Sequence, residues 1–364
     1  MASILRIQKL DVAVFTIPAS SPESDGTYEW DSTTMVLVHA HAGGRIGLGY
    51  TYADSSTALL IRDKLTKVVT GLDAFDINGA WLAMVASIRN LGRPGIASMA
   101  ISAVDTALWD LKATLLDLPL VKLFGQVRDG VPIYGSGGFT SYTDRQLQEQ
   151  FSKWQAQSIT RFKMKVGRDA VADLHRVRVA RECIGPDAEL FVDANGGYSR
   201  KQALAQAERF TEQNVSWFEE PVSSDDLEGL RLIRDRAPAS MEIAAGEYGY
   251  DLDYFRRMLD AAAVDVLQAD ATRCAGFTGV IQAATLCEAH HLPLSAHCAP
   301  ALHVHIGCAL HPMRHLEYFH DHVRIENMLF DGVPQPVNGE LRPDLSRPGI
   351  GLEFKSADAQ RFAA

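Results

Sequence analysis

The sequence lacks the features that mark several classes of protein. Its five cysteines form no Cys-x-x-Cys pair, so we expect reduced thiols rather than a disulfide framework or a zinc knuckle. Only 35 Lys and Arg stand against 45 Asp and Glu. A nucleic-acid binder needs a surplus of basic residues, so this balance argues against one. No apolar run reaches the ~18 residues of a membrane span. Met1–Leu10 alternates like a strand and has no signal-peptide pattern. We therefore expect a cytoplasmic protein without a membrane partner.

The composition is that of an ordinary globular chain. The protein has 364 residues, of which 47% are hydrophobic and 22% are charged. This length suits roughly two domains of ~150 residues, or one large barrel with a smaller unit. Residues 1–125 mix strand and helix patterns, and residues 327–364 form an extended, proline-containing segment that we expect to pack against another part of the protein.

Residues 126–326 follow a repeating plan of short apolar runs and helical stretches. Eight runs occur, each followed by helical spacing, which is the plan of a (β/α)8 barrel. The runs are Val131–Ser136, Arg161–Val166, Leu190–Asp193, Val215–Glu219, Met241–Ala245, Val264–Asp270, Leu292–His297 and His315–Tyr318.

Chemically active side chains lie at or beside the ends of most of these runs. From Lys165 onward they are 20 to 28 residues apart, which is about one β/α unit each. Active sites of such barrels lie where the strands end, so this spacing predicts one cluster at the C-terminal rim. Its expected members are Lys163, Lys165, Asp193, Glu219, Glu247, Asp270, His297 and Glu317.

Three of the rim residues are acids on successive strands. Asp193, Glu219 and Glu247 cannot all stay ionised in close contact without a cation. Hard oxygen ligands with open positions suit Mg²⁺, so we predict a magnesium site. We expect Glu220 to support this site from behind and Asn195 to face the substrate.

The remaining rim residues suit proton transfer. Lys163 and Lys165 share one side of a strand, and two close ammonium groups lower each other's proton affinity, which favours one as a general base. Asp270 is placed to orient His297. Glu317 completes the rim, where a protonated carboxyl would donate a hydrogen bond.

Taken in order, these motifs resemble the enolase superfamily, in the mandelate racemase subgroup. The matching segments are Lys163-Met164-Lys165, Phe191–Asn195, Trp217–Pro221, Ala245-Gly246-Glu247, Asp270–Arg273, Ser295-Ala296-His297, Leu316-Glu317 and the helix Ser102–Asp110. The resemblance covers essentially the whole chain. It implies a modified (β/α)8 TIM barrel (residues 126–326), an N-terminal α+β capping domain (residues 1–125) and a C-terminal segment (residues 327–364) that returns to the capping domain.

The resemblance also implies roles for the rim residues. A small-molecule carboxylate would bind Mg²⁺ held by Asp193, Glu219 and Glu247. Lys163 would help to neutralise the charge that develops when the α-proton leaves. Lys165 and the Asp270–His297 pair would then lie on opposite faces of that carbon. Glu317 would bind the substrate carboxylate, and Arg273 is a further substrate-binding candidate.

Two catalysts on opposite faces allow two reactions. Loss of a β-hydroxyl gives a 2-keto-3-deoxy acid, whereas return of the proton to the other face gives racemisation or epimerisation. Ser20–Trp30 contains mostly turn formers and acids, so we expect a mobile loop that closes over the barrel mouth. Its acids Glu23, Asp25 and Glu29 suit sugar hydroxyls and repel a second carboxylate. The sequence thus favours an acid-sugar dehydratase acting on an aldonic monoacid.

Two other expectations complete the interpretation. A non-catalytic metal-binding barrel is the alternative from a different class, although every catalytic position is filled here. We also expect a homo-oligomer, from a dimer to an octamer.

Overall fold

An antiparallel sheet and a helical layer form the N-terminal part of the molecule. The structure is a computed structural model and describes residues 4–364. Strands β1 (Lys9–Ser24), β2 (Glu29–Ala42) and β3 (Arg45–Tyr52) form a sheet in that order. The helices that follow are α1 (Ser56–Leu60), a π-helical turn (Ile61–Leu65), α2 (Thr66–Val69), α3 (Ile77–Ser87), α4 (Ile96–Leu115) and α5 (Leu120–Phe124).

The sheet packs directly on the backbone of α4. A Cβ at Gly47 would lie 2.2 Å from the Ala107 oxygen, and one at Gly49 would lie 2.2 Å from the Ala103 oxygen. Glycine therefore allows the two backbones to approach closely. The small residues of α4 serve the same contact, and most of this helix is buried.

Eight parallel strands form a closed barrel. They run in chain order around the barrel, and the last strand pairs with the first through Leu316–Ile133 and three further residue pairs. The strands are β4 (Val131–Gly137), β5 (Arg161–Lys165), β6 (Glu189–Asp193), β7 (Val215–Glu219), β8 (Glu242–Ala245), β9 (Val266–Ala269), β10 (Leu294–Ala296) and β11 (Met313–Phe319). Each strand coincides with one of the eight predicted runs, which confirms the predicted fold class.

A helix follows every barrel strand. Five of these helices begin at a side-chain cap from Thr143, Asp169, Ser199, Asp226 or Asp251, each of which accepts a backbone N–H of the first turn. The helices are α6 (Asp144–Ala156), α7 (Ala170–Ile184), α8 (Arg200–Thr211), α9 (Leu227–Arg236), α10 (Leu252–Asp260), α11 (Gly276–Ala289), α12 (Pro300–Gly307) and α13 (His320–Leu329).

The C-terminal segment returns to the capping sheet, as the resemblance implies. Its elements are β12 (Phe330–Asp331), β13 (Glu340–Leu341), β14 (Glu353–Phe354), α14 (Ser356–Ala359) and a 3₁₀ turn (Gln360–Phe362). Strand β13 pairs with β4 of the barrel. The Ala364 N–H then donates to the Val14 oxygen of β1, at 3.1 Å. Among residues 4–364, no helix is both long enough and apolar enough to cross a membrane.

A buried carboxylate joins the capping helix α4 to the barrel helix α11. Asp105 accepts hydrogen bonds from the Thr278 backbone N–H at 3.0 Å and from the Thr278 hydroxyl at 2.7 Å. Burial raises the pKa of Asp105 to about 7, although both hydrogen bonds from Thr278 oppose that rise. The contact fixes the orientation of α4 relative to the barrel.

We predict that Asp105→Ala lowers the free energy of unfolding by about 2–5 kcal/mol, because two buried donors of Thr278 lose their acceptor. Urea unfolding measures this loss. The matched control is Asp63→Ala, since Asp63 is exposed; its effect should stay within about 0.5 kcal/mol. Wild-type stability of Asp105→Ala would contradict the assigned contact.

Candidate active site

All eight predicted rim residues meet at the C-terminal mouth of the barrel. None is more than 6% exposed. Five of them line a cavity of about 480 Å³ that lies between the barrel and the capping sheet: Lys165, Glu247, Asp270, His297 and Glu317. The other three, Lys163, Asp193 and Glu219, are fully buried and do not line the cavity. The alternation of β5 explains the placement of its lysines, because Phe162 and Met164 pack into the outer core while Lys163 and Lys165 point inward.

The two lysines are held by carboxylates. Lys163 Nζ lies 2.5 Å from Glu219 Oε1 and 2.8 Å from Glu317 Oε1, and Lys165 Nζ lies 2.5 Å from Asp193 Oδ2. Burial by itself lowers the pKa of Lys165, but the Asp193 carboxylate outweighs burial and raises it above its usual value. Lys163 opposes this rise more weakly than Asp193 favours it. Lys163 therefore lowers the pKa of Lys165, as expected, but the Asp193 carboxylate overcomes this effect.

Asp193, Glu219 and Glu247 form the predicted acidic cluster. Each offers a carboxylate oxygen, and these atoms lie within 4.8 Å of one another. Burial and the neighbouring Asp193 charge raise the pKa of Glu219 well above its usual value. Glu247 Oε2 is buried and has no hydrogen-bond partner among the described residues. A hard divalent cation fits this set, because Mg²⁺ prefers oxygen ligands and compensates closely spaced carboxylates.

Asp270 fixes both the orientation and the tautomer of His297. His297 Nδ1 donates to Asp270 Oδ2 at 2.8 Å, since a carboxylate can only accept. The other oxygen, Asp270 Oδ1, accepts from the backbone N–H and the hydroxyl of Thr272, both at 2.7 Å. Burial raises the pKa of Asp270, but the hydrogen bond from His297 and the His297 charge bring it below its usual value. The other ring nitrogen of His297, Nε2, lies 3.3 Å from Cys298 Sγ, and the residue lines the cavity.

Glu317 is an acceptor in this site, not the donor that a protonated carboxyl would be. Its Oε1 accepts from the Ser136 hydroxyl at 2.6 Å, and its Oε2 accepts from the Cys298 backbone N–H at 2.9 Å. Burial raises the pKa of Glu317, yet Lys163 and His297 outweigh burial and hold it well below its usual value. Sequence reasoning missed Ser136 and Cys298, although Ser136 ends the first predicted run and Cys298 follows His297.

The three remaining candidates lie around the acidic cluster. Asn195 lines the catalytic cavity, and its Oδ1 has no partner within residues 4–364. Arg273 NH1 lies 3.2 Å from Glu247 Oε1, and its guanidinium lies over the Tyr248 ring, 5.2 Å from the centroid. Glu220 faces a second cavity of about 570 Å³, which shares Thr27, Asn195 and Tyr248 with the first.

The expected mobile loop at Ser20–Trp30 is instead a hairpin seated on the barrel mouth. Strand β1 continues to Ser24, and Glu23 pairs with Trp30 across the turn. Ser24 and Thr140 share a hydrogen bond of 2.6 Å between hydroxyls, which joins the hairpin to the barrel. The expected irregular conformation was wrong, because turn-forming side chains can also make local hydrogen bonds that favour one backbone arrangement. The expected position over the barrel mouth agrees with the structure.

The three acids of the hairpin are engaged within the protein. Glu23 accepts from the Trp30 indole at 2.9 Å, and Glu29 pairs with Arg168. Asp25 Oδ1 accepts the backbone N–H groups of residues 27 and 28. Their role as acceptors for substrate hydroxyls stays a prediction: Asp25 lines the catalytic cavity, whereas Glu23 Oε1 is buried without a partner in the part of the chain that the structure describes.

The chain is similar to known proteins of the family that the sequence motifs resemble. Residues 12–125 match the family described as mandelate racemase / muconate lactonizing enzyme, N-terminal domain, and residues 146–359 match the enolase C-terminal domain-like family. A solved mandelate racemase/muconate lactonizing enzyme-like protein from Rubrobacter xylanophilus is 54% identical. It superimposes with a TM-score of 0.97 over 99% of this chain and 100% of that chain.

Two further relatives have named activities. The 3,6-anhydro-alpha-L-galactonate cycloisomerase of Streptomyces coelicolor is 32% identical over 87% of this chain and 88% of its own length. The L-talarate dehydratase from Polaromonas sp. JS666, solved with Mg and L-glucarate, is 28% identical. It superimposes with a TM-score of 0.90 over 99% of this chain and 98% of that chain.

We predict that Gly26→Ala loosens the hairpin without unfolding the barrel. A Cβ at Gly26 would lie 2.3 Å from the Ala194 oxygen and 2.7 Å from the Val166 oxygen, so the turn must move away from the mouth. Hydrogen–deuterium exchange should then be faster at residues 23–30 and unchanged in the barrel strands. Ser20→Ala, at an exposed position of the same strand, is the control. Unchanged protection in Gly26→Ala would show that the hairpin does not depend on this contact.

Proposed function

Because the chain belongs to the mandelate racemase/muconate lactonizing enzyme family of the enolase superfamily, we propose that it removes the proton α to the carboxylate of an acid sugar and expels the β-hydroxyl. The observation that carries this proposal is the placement of two proton-transfer groups around one acidic cluster. Lys165 ends β5, and His297 follows β10, on the far side of the barrel mouth. An acid sugar dehydratase needs a base and an acid in this arrangement.

Asp193, Glu219 and Glu247 would hold Mg²⁺ in this proposal. When bound, the ion supplies the positive charge that compensates these carboxylates and the charge that develops on the substrate carboxylate. Lys163 adds a second positive charge beside the same cluster, since its ammonium contacts Glu219 and Glu317. Glu220 supports the cluster from the second cavity.

The proton transfers follow from the geometry of the two groups. With Mg²⁺ on Asp193, the charge that raises the pKa of Lys165 would be compensated. Lys165 in its neutral form would then take the α-proton as the C–H bond breaks. Protonated His297 then gives its Nε2 proton to the β-hydroxyl, whose C–O bond breaks to release water. The enol that remains tautomerises to a 2-keto-3-deoxy acid. Asp270 stabilises the imidazolium form through its bond to Nδ1, which keeps the proton available.

The cavity supports an aldonic monoacid as the substrate. Its two long cationic side chains are already paired, Lys165 with Asp193 and Arg273 with Glu247. Burial lowers the pKa of His322 to about 3, so this imidazole is neutral. The other imidazole of the cavity, His297, is paired with Asp270. The capping side offers hydroxyls and aromatic rings, chiefly from Thr27, Tyr28, Trp30, Ser32, Thr33 and Tyr52. Such a wall suits the hydroxyls of a sugar chain better than a second carboxylate.

Racemisation or epimerisation of a 2-hydroxy acid is the second candidate, because the same two groups can each exchange a proton with one carbon. A non-catalytic barrel is disfavoured, since all the rim positions needed for chemistry are filled. The expected cytoplasmic homo-oligomer stays a prediction.

We predict that a panel of aldonic and aldaric acids gives 2-keto-3-deoxy products with Mg²⁺, with the higher kcat/KM on a monoacid. Glu219→Gln should reduce turnover by at least about a hundredfold, because a charged ligand is lost. The control Glu182→Gln makes the same change on an exposed position of α7. Turnover confined to diacids would refute the substrate class. Full activity of Glu219→Gln in chelator-treated buffer would refute the metal assignment.

We predict that His297→Asn loses net dehydration but still exchanges the α-proton with deuterated solvent, since Lys165 remains. Lys165→Ala should lose that exchange. Nuclear magnetic resonance of the substrate α-position measures both rates. Exchange that survives in Lys165→Ala and vanishes in His297→Asn would reverse the two roles.

A further inference from the structure

We propose that His297, Cys298 and Glu317 form a second metal site, which binds Zn²⁺ and blocks the catalytic imidazole. The three donor atoms are His297 Nε2, Cys298 Sγ and Glu317 Oε2, all at the barrel mouth. The site is distinct from the all-oxygen cluster of Asp193, Glu219 and Glu247. Metal binding here is independent of the proposed function, whereas the inhibition it causes rests on that function.

The separations of the donor atoms match a tetrahedral zinc site. Cys298 Sγ lies 3.3 Å from His297 Nε2 and 3.4 Å from Glu317 Oε2, and the last two atoms are 3.7 Å apart. Tetrahedral Zn²⁺ with ordinary bonds to sulfur, nitrogen and oxygen places such donors roughly 3.4–3.6 Å from one another. Each observed separation therefore needs a shift of only a few tenths of an ångström.

The surroundings already orient two of the ligands. Asp270 accepts the Nδ1 proton of His297 at 2.8 Å, which leaves the Nε2 lone pair free, as in the carboxylate–histidine–zinc arrangement. The Ser136 hydroxyl and the Lys163 ammonium engage the other carboxylate oxygen of Glu317, Oε1. Oε2 keeps a lone pair for a metal, since its one backbone donor is the Cys298 N–H.

The cysteine gives the site its selectivity. Thiolate sulfur favours Zn²⁺ over Mg²⁺, whereas the three carboxylates of the neighbouring cluster favour Mg²⁺. As the zinc–sulfur bond forms, the Cys298 thiol loses its proton to water. Glu247 Oε2 lies 3.4 Å from His297 Nε2, but Glu247 belongs to the all-oxygen cluster. Water would therefore take the fourth zinc position.

The consequence is a dead-end complex. Zinc on Nε2 occupies the lone pair that must carry the proton to the leaving hydroxyl. Magnesium in excess would not restore activity, because it does not compete for sulfur and imidazole nitrogen. A chelator selective for zinc would restore it.

The binding test uses Co²⁺ as a spectroscopic probe on the full chain, with excess Mg²⁺ present. We expect a thiolate-to-cobalt charge-transfer band that saturates at one equivalent and is displaced by Zn²⁺. Cys298→Ser should abolish the band and weaken Zn²⁺ binding by at least about tenfold. The matched control is Cys183→Ser, which removes the half-buried thiol on α7 and should leave the band intact.

Two results would overturn the proposal. One is the absence of a thiolate band in the wild-type protein, since the site requires sulfur. The other is zinc binding of wild-type strength in folded Cys298→Ser, which would place zinc on the carboxylate cluster. If Cys298→Ser does not fold, zinc-edge X-ray absorption of the wild-type protein decides the question, with one sulfur at about 2.3 Å expected. Inhibition is measured separately, so a failed activity assay leaves the binding result valid.

Discussion

The burial of opposite charges at the barrel mouth is the constraint on which the site depends. Lys163 is fully buried, and its ammonium lies between Glu219 and Glu317. Removing such charges from water is costly unless each has a partner, so the ion pairs fix the side chains in one arrangement. The same ion pairs connect β5, β7 and β11. The ion pairs that make the buried charges tolerable therefore also hold the catalytic side chains in fixed positions, as catalysis requires.

The capping hairpin completes this arrangement from above. Ser24 and Thr140 tie its strand to the barrel, and Gly26 allows its turn to rest on the Ala194 oxygen. The hairpin therefore covers one side of the cavity through polar contacts and close backbone approach. The ion pairs at the barrel mouth and the capping hairpin both hold the side chains of the site in place.

One group, His297, connects the proposed chemistry with the proposed zinc site. Asp270 directs its Nε2 lone pair into the cavity, where the atom can carry a proton or accept a metal. Cys298 follows His297 in the chain; its backbone N–H holds Glu317, and its Sγ lies 3.3 Å from His297 Nε2. One residue thus supports the Glu317 carboxylate and offers the soft ligand of the proposed zinc site.

The sequence by itself determined the barrel and the members of the rim. Eight apolar runs at regular spacing leave few alternatives, and strand ends must converge in a closed barrel. The family resemblance added roles for residues such as Lys165 and Glu317. Only the tertiary structure decided the protonation preferences of the site, because a pKa depends on partners from other strands. On Lys165, for example, the Asp193 carboxylate raises the pKa more than Lys163 lowers it. It also decided that Ser20–Trp30 is an ordered hairpin, since the contacts from Thr140 and Ala194 are more than 100 residues away along the chain.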